Sequence, residues 1–317
     1  LELGGLHHLT AVTTDAKANV DFYTGVLGMR LVKKTVNQDD VSAYHLFYGD
    51  EAGNPGTEVT FFDWPQLRIA ANHPGAGEVS TTELRVPDAA ALDWWAGRLE
   101  DAGVAHGGVQ SGADRARLDF KDPEGQRLRL SEDRGEGTRG GVPWDASEVP
   151  EEYGIRGLAS VDLTVRDLEP TAWTLTEAMG FTKTGERAED GGRVATFEVG
   201  PGGPGATVRV LERPGAAAAH LGRGGVHHVA FRTPNDEEHA LWREKIRAMG
   251  LGVTPQIDRF YFRSIYFREP GGILFEIATD GPGFATDEDA AHLGEKLSLP
   301  PFLEGRREEI EARLTPV

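Results

Sequence analysis

The sequence predicts an α+β fold made of four βαβββ units, each a strand, a helix and then three short strands, followed by a C-terminal cap segment. Three observations predict it. A strand-to-helix pattern ending in glycine recurs four times, with starts about evenly spaced along the 317 residues. Two of the copies open on a histidine doublet: His7-His8 in GLHHLTAVTTDAKANVDFYTGVLGM and His227-His228 in GVHHVAFRTPNDEEHALWREKIRAMG. A stretch rich in Gly, Pro and charge, RGEGTRGGVPWDASEVPEEYG, lies between the second and third copies and has the composition of a linker.

Unit one begins near Leu6. Its helix runs from about Ala16 to Leu27, with Val20, Phe22, Tyr23 and Leu27 at helical spacing and Gly28 as the stop. Strands follow in YHLFYGD and TEVTFFDW. Unit two begins near Thr81 with TELRVPD, continues through the helix ALDWWAGRLEDAG, and closes with RLDFKDPEGQRLRLSED, two strands about a DPEG turn. Unit three reads LASVDLTVRD, then TAWTLTEAMGF, then VATFEVG and ATVRVLERP. Unit four begins at Val226, has EEHALWREKIRAMG as its helix and closes with RSIYFREPGGILFEIATD. The chain therefore divides into residues 1–140 (units one and two), a linker at 141–156, residues 157–280 (units three and four) and an extension at 281–317. Within the extension EGRREEIEARL reads as a short amphipathic helix, with Leu303, Ile310 and Leu314 near one face, packed on the body as a cap.

Composition excludes several classes. At 39% hydrophobic the chain can bury a sizeable core. No apolar run approaches the ~20 residues of a membrane-spanning helix. LELGGLHHLT does not have the pattern of a signal peptide. Cysteine is absent, which excludes disulfides, thiolate metal sites and cysteine nucleophiles and suits a reducing cytoplasm. Formal net charge is −18, so the surface repels phosphate backbones and nucleic acid is not an expected partner. PGGPGATV and HPGAGEV lack the strand-to-helix setting of phosphate loops and read as turns.

Two imidazoles and one carboxylate on rigid strands make a facial metal site with open positions for substrate and oxygen. Comparison of the copies shows which side chains supply it. Aligning the helix ends puts His8 of unit one opposite His228 of unit four; Ser160 fills that slot in unit three, and Ser80 or Thr81 in unit two. The slot of Glu276, in the apolar run LFEIA, holds Thr60, Arg129 and Arg209 in units one, two and three. A guanidinium cannot ligate a cation, so only units one and four keep ligands. Unit one should then face unit four around the ion, leaving units two and three to pair without one. Neighbouring side chains on a strand point to opposite faces, so one histidine of each doublet should face the ion, with the other beside or behind it. The remaining histidines, His45, His73, His106, His220, His239 and His292, show no paired spacing and read as surface or loop residues.

The fourfold unit, over roughly residues 5 to 280, resembles the vicinal oxygen chelate superfamily of glyoxalases, extradiol dioxygenases and bleomycin-resistance proteins. The resemblance implies two cup-shaped modules, each made of two units. In the superfamily pattern the ligand histidine precedes the apolar run of the strand, as in HLTAV and HVAF, which selects His8 and His228. LHHLT, VKKTVNQDD, GTEVTFFDWP, VHHVAF, DRFYFRSIYFREPGGILFEIATD and LPPFLE are more specifically similar to the hydroquinone ring-cleaving dioxygenases. That resemblance implies a non-haem Fe(II) enzyme, with Mn(II) suiting the same ligands, that opens the ring of a substituted or bare hydroquinone with O2. Its metal triad falls on His8, His228 and Glu276. Its further functional residues fall on His7, Thr10, His227, Arg259 and Tyr266. A hydroquinone binds through one oxygen, and His7 and His227 are the candidates to take its proton. Tyr266 would donate a hydrogen bond to the reacting oxygen, and Arg259 would hold developing negative charge or a ring substituent.

Other chemistries remain open. A glyoxalase-like isomerase or lyase usually uses four protein ligands, and unit one offers Thr60 where its carboxylate should be. A catechol extradiol dioxygenase would place a ligand where Ser160 stands. A binding or resistance protein would have lost its ligands. The expected partners are a small aromatic substrate and O2, with no nucleic acid and no membrane. A homo-oligomer is compatible with the sequence.

Overall fold

The computed structural model describes residues 1–64, 70–111, 115–189 and 191–317. Pro65, the last residue of the GTEVTFFDWP motif, lies outside them. Unit one comprises β1 (Leu6–Thr13), α1 (Ala16–Val20) running on into a π-helical stretch at Asp21–Val26, β2 (Arg30–Val36), β3 (Tyr44–Gly49) and β4 (Glu58–Asp63). Unit two comprises β5 (Glu78–Val86), α2 (Ala89–Asp101), β6 (His106–Gln110), β7 (Arg117–Lys121) and β8 (Arg127–Glu132). Unit three has β9 (Leu158–Val165), α3 (Leu168–Trp173) with a π-helical continuation at Thr174–Ala178, β10 (Thr182–Glu189), β11 (Gly192–Glu198) and β12 (Thr207–Glu212). Unit four has β13 (Val226–Thr233), α4 (Asp236–Ala248), β14 (Ile257–Asp258), β15 (Arg263–Arg268) and β16 (Leu274–Thr279).

Each helix starts and stops by the same local chemistry. Asp15, Asp88, Asp167 and Asn235 accept the backbone N–H of Ala18, Ala91, Glu169 and Glu238 and satisfy orphan donors of the first turns. Gly28, Gly103, Gly180 and Gly250 follow the helices with φ of 68°, 70°, 80° and 81°, the left-handed conformation that glycine adopts without strain. Trp95 and Leu99 of α2, and Trp242 and Ile246 of α4, are fully buried against the sheets.

The topology pairs unit one with unit four. One eight-stranded sheet runs β14-β15-β16-β13-β1-β4-β3-β2 and the other β10-β11-β12-β9-β5-β8-β7-β6. In every unit the first strand pairs in parallel with the last, and the two units of a sheet join antiparallel through β1–β13 or β5–β9. The parallel registers place Thr60, Arg129 and Arg209 where Glu276 stands, opposite Thr10, Glu83, Asp162 and Ala230 respectively. The same registers give Thr81, not Ser80, as the unit-two counterpart of His8.

The Gly- and Pro-rich stretch after unit two is packed rather than loose. Val149 and Ile155 are buried, and Trp95 Nε1 donates to the Tyr153 carbonyl at 2.8 Å. The C-terminal extension caps unit one: Leu303, Ile310 and Leu314 are buried, and Phe284 packs 5.0 Å from Phe47. Fully buried Lys33 donates to Asp287 at 2.7 Å and also to Glu288. The short helix expected in EGRREEIEARL is present as α6 (Arg307–Glu311), confined to the middle of that stretch, and a separate short helix, α5 (Pro301–Glu304), precedes it across Gly305 and Arg306.

Asp63, at the end of β4, is buried with Oδ1 unpaired. Burial, reinforced by the charges of Glu124 and Asp15, pushes its carboxyl up to about 7. A folded-state pKa above the unfolded value favours the folded state below the unfolded pKa, and that advantage is lost as pH rises through the folded pKa. Asp63→Asn is therefore expected to gain stability relative to the parent between about pH 4 and pH 8, by about 1–2 kcal/mol once solvent screening is discounted. Urea unfolding of both proteins at the two pH values measures this; a difference independent of pH would contradict it.

Candidate metal centre

Both histidine doublets sit on β-bulges. In the β1–β13 register Leu6 pairs with Phe231 and His8 with Ala230, so His7 is the extra residue of β1. Thr10 pairs with His228 and Ala11 with Val226, so His227 is the extra residue of β13. A bulge sets two residues against one and re-aims the side chains. Ordinary strand alternation would have sent His7 and His227 to the opposite face. Instead Phe262 touches the rings of both His7 and His8, with centroids at 5.3 and 5.2 Å. The β5–β9 seam carries the same bulges at Ser80 and Ala159, so the distortion belongs to the unit and not to the ligands.

The structure brings His8 together with His228 and Glu276, which lie 220 and 268 positions further along the chain. All three are buried, and one ligand atom from each lies within 4.8 Å of the others. Glu276 Oε2 is 2.9 Å from His228 Nε2 and 3.3 Å from His8 Nε2. Donors about 2.1 Å from a shared ion at right angles lie roughly 3 Å apart. Glu276 Oε2 nevertheless makes no hydrogen bond of acceptable geometry, although it is buried. The three atoms converge on a common point instead of pairing off, which is the arrangement a cation satisfies. Oε1 accepts from Ser264 Oγ at 2.5 Å, which fixes the carboxylate plane. Burial opposes ionisation of Glu276, but the adjoining imidazoles of His8 and His228 outweigh it and hold the carboxyl well below its usual range.

The doublet partners set the tautomers. His7 Nε2 lies 3.0 Å from the Thr279 carbonyl, which can only accept, so Nε2 carries the proton. Burial, with His8 adjacent, holds the His7 pKa down to about 3, so the ring is neutral and its Nδ1 is an acceptor. His8 Nδ1, 2.9 Å away, must then donate to it, which leaves His8 Nε2 as the ring atom facing Glu276. The same Nδ1-to-Nδ1 contact recurs between His227 and His228 at 2.8 Å. Burial and His228 likewise hold the His227 pKa down to about 3.

A cavity of about 40 Å³ adjoins the triad, lined by His8, His228, Arg259, Tyr266, His45 and a ring of aromatic and polar residues from β2, β3 and the 259–262 loop. Arg259 Nε donates to Tyr266 Oη at 3.3 Å, and its Nη2 donates to Asp39 at 2.9 Å. Burial, strengthened by the charge of Glu276, pushes the Tyr266 hydroxyl up, so it remains a donor at neutral pH. Thr10, His7 and His227 do not line the cavity. Thr10 Oγ1 lies 2.8 Å from Thr60 Oγ1, and the two histidines stand behind His8 and His228.

Three histidines depart from the surface or loop reading. His45 lies on β3, lines the cavity and packs 4.0 Å from Phe47 and 4.5 Å from Phe62. His239 is fully buried in α4, its Nε2 3.0 Å from the Ile277 carbonyl. His106 opens β6. Their roles come from sheet pairing and helix packing, which residue spacing does not reveal. Ser264 was also missed; its alternation with Tyr266 on β15 is a signal that could have suggested a neighbour of Glu276.

The second sheet holds arginine where the first holds a ligand. Arg209 Nε donates to Asp162 at 2.7 Å and its Nη2 donates to Glu83; Arg129 donates to Asp162 at 3.1 Å and to Asp119 at 2.6 Å. The cleft there is larger, about 510 Å³, but its floor is this ion-pair network.

A family model described as the Glyoxalase/Bleomycin resistance protein/Dioxygenase superfamily matches residues 5–130 and 157–277. The chain belongs to that superfamily. "Putative ring-cleaving dioxygenase MhqA" of Bacillus subtilis (strain 168) is 48% identical to it over 318 residues, covering 100% of each chain. The chlorohydroquinone/hydroquinone 1,2-dioxygenase of Sphingobium indicum is 35% identical over 319 residues, covering 96% of this chain and 94% of that one. A crystal structure of a "putative dioxygenase" from Bacillus subtilis superposes with a TM-score of 0.90 at 39% identity, over 99% of this chain and 97% of the other. The protein is an enzyme of the ring-cleaving dioxygenase class. Among the described residues of this dioxygenase no helix is long and apolar enough to cross a membrane.

Proposed function

We propose that this dioxygenase opens the aromatic ring of a hydroquinone, bare or substituted, with O2, using Fe(II) held by His8, His228 and Glu276; Mn(II) suits the same donors. The observation that carries the proposal is the unpaired, buried Glu276 Oε2 between two imidazole nitrogens, in a chain 35% identical to a hydroquinone dioxygenase. When bound, a ferrous ion on this facial set supplies open positions at which a phenolate oxygen and dioxygen meet.

The protein groups divide the remaining work. His7 and His227 hold the ligand imidazoles by their Nδ1 atoms, as outer partners of metal-bound histidines do. Tyr266 keeps its proton and presents it from the cavity wall beside His228, 5.7 Å between ring centroids. Arg259 lies over the Tyr266 ring at 5.4 Å and puts a positive charge where a ring-opened carboxylate develops. Phe47, Phe62 and Phe262 keep the ring faces dry. Gln38 donates to the Arg259 carbonyl at 2.8 Å, and Asp39 pairs with its guanidinium. These two links cross from unit one to unit four at the cavity edge.

Anaerobic reconstitution with Fe(II) followed by oxygen uptake tests the reading. Hydroquinone, methylhydroquinone or a chlorohydroquinone should each consume one O2 per ring opened. Uptake with catechols alone would point to an extradiol enzyme. Isomerisation of the methylglyoxal–glutathione adduct without oxygen uptake would point to a glyoxalase. Either result sinks the proposal.

A further inference from the structure

We infer that Thr35 and His45 form the subsite that recognises the second hydroxyl of the ring, the one not directed at the metal-binding triad; this rests on the hydroquinone reading above. Thr35 on β2 and His45 on β3 are direct partners in the antiparallel register. Side chains of such a pair lie on the same face of the sheet and within contact reach. Both line the cavity that contains His8 and His228.

Each side chain has a polar atom that the protein does not use. Thr35 is 2% exposed, and its Oγ1 is buried without a hydrogen-bond partner. The neighbouring Tyr261 hydroxyl gives its own proton to Asp287 at 2.9 Å and offers Thr35 only an oxygen to donate to, so the lone pairs of Thr35 Oγ1 stay unused. His45 commits Nε2 to Thr60 Oγ1 at 3.0 Å, and Thr60 in turn contacts Thr10 at 2.8 Å. No described residue pairs with His45 Nδ1. A buried polar atom left unpaired, as Thr35 Oγ1 is, costs free energy and calls for a ligand group or water, and the half-buried His45 leaves Nδ1 open beside it. The other charged and phenolic groups of this wall are already committed: Arg259 to Asp39 and Tyr266, Gln38 to the Arg259 carbonyl.

The chemistry fits a phenolic hydroxyl. The Thr10–Thr60–His45 hydroxyl chain can run in either direction, so Nδ1 presents a lone pair or a proton. A hydroxyl both donates and accepts, and it satisfies His45 and Thr35 together in either case. A methyl group or a bare ring edge in that position leaves both orphaned. Phe47 and Phe62 both pack against the imidazole, at 4.0 and 4.5 Å between ring centroids, and burial, with His8 and His228 nearby, keeps it neutral. A site built to hydrogen-bond a hydroxyl rejects the analogue that lacks it more strongly than an apolar pocket rejects a size change.

The test is anaerobic binding of hydroquinone and of 4-methylphenol to the Fe(II)-loaded protein, its Thr35→Val and His45→Leu variants, and His45→Gln. The parent should bind hydroquinone at least about tenfold more tightly than 4-methylphenol, with the ratio falling below about threefold in Thr35→Val and His45→Leu. His45→Gln should recover part of it, and iron content should be unchanged throughout. Thr35→Val is nearly isosteric, so it reports even where a His45 variant folds poorly. Parental discrimination retained in Thr35→Val and His45→Leu, or a parent that binds both compounds alike, overturns the assignment. A parent that consumes oxygen with hydroquinones while the variants keep the discrimination refutes the subsite alone. A parent that acts only on catechols refutes the functional reading and the subsite with it.

Discussion

Glu276→Ala, His8→Ala and His228→Ala should each lose bound iron, and with it at least about 1000-fold of ring-opening activity. The lower bound follows from outer partners of metal ligands, whose removal alone typically costs 10–100-fold in metal affinity or activity. Each of these three variants removes a ligand itself. The Glu276 variant should be the most severe, because it removes the one anionic donor of the set and leaves two neutral imidazoles facing a dication. Glu276→Gln separates charge from shape, since the amide can keep the Ser264 contact at Oε1 while giving up the negative oxygen between His8 and His228. Two measurements check this without relying on turnover. Metal analysis after reconstitution and desalting should find iron in the parent and in His45→Ala, but not in the triad variants. Iron should also raise the parent melting temperature, since a ligand at about 100 times its Kd adds about 2.7 kcal/mol to the folded state. The triad variants should show no such rise. Iron retained by any of the three would separate that residue from the metal.

The parts of this centre that were legible in the sequence are those carried by repetition. Four helix stops at glycine gave a frame, and within it His8 and His228 fell in one slot and Glu276 in another. The parallel strand registers reproduce the Thr60, Arg129 and Arg209 assignments because the spacing from helix to closing strand is kept in every unit. Pairing of unit one with unit four was also legible, since arginine in the middle units leaves no other way to complete the donor set. What was not legible depends on geometry that residue spacing does not encode. A bulge adds one residue to a strand without any composition signal, so the side-by-side placement of His7 with His8 was beyond an argument from alternation. Thr35 and His45 gain meaning only through the β2–β3 hairpin and the unpaired atoms it turns into the cavity. The walls come from loops 37–40 and 259–262, which have no periodicity to read.

Glu83→Ala should cost about 3–5 kcal/mol of folding stability, the range for breaking a buried ion pair from one side. In the second sheet Arg129 and Arg209 occupy the positions of Glu276, and the carboxylate that Glu83 offers to both guanidinium groups also accepts from Ser160 Oγ at 2.9 Å. Burial opposes ionisation of Glu83, but Arg209 and Arg129 hold its carboxyl down to about 2, so it is charged across the working pH range. Removing it leaves two guanidinium groups to share Asp162, with Asp119 on Arg129 alone. The loss should appear in urea unfolding at neutral pH, while iron content per folded protein stays at the parental value, because the triad lies in the other sheet. Changing Glu83, Arg129 and Arg209 together to apolar residues of similar volume should recover most of the stability, since no orphan charge remains. This pair of results would show that the second module holds its two units together by ion pairs at the positions where the first offers metal ligands. Iron lost in step with stability would instead mean that the two modules unfold as one and that the arginine network also supports the metal centre.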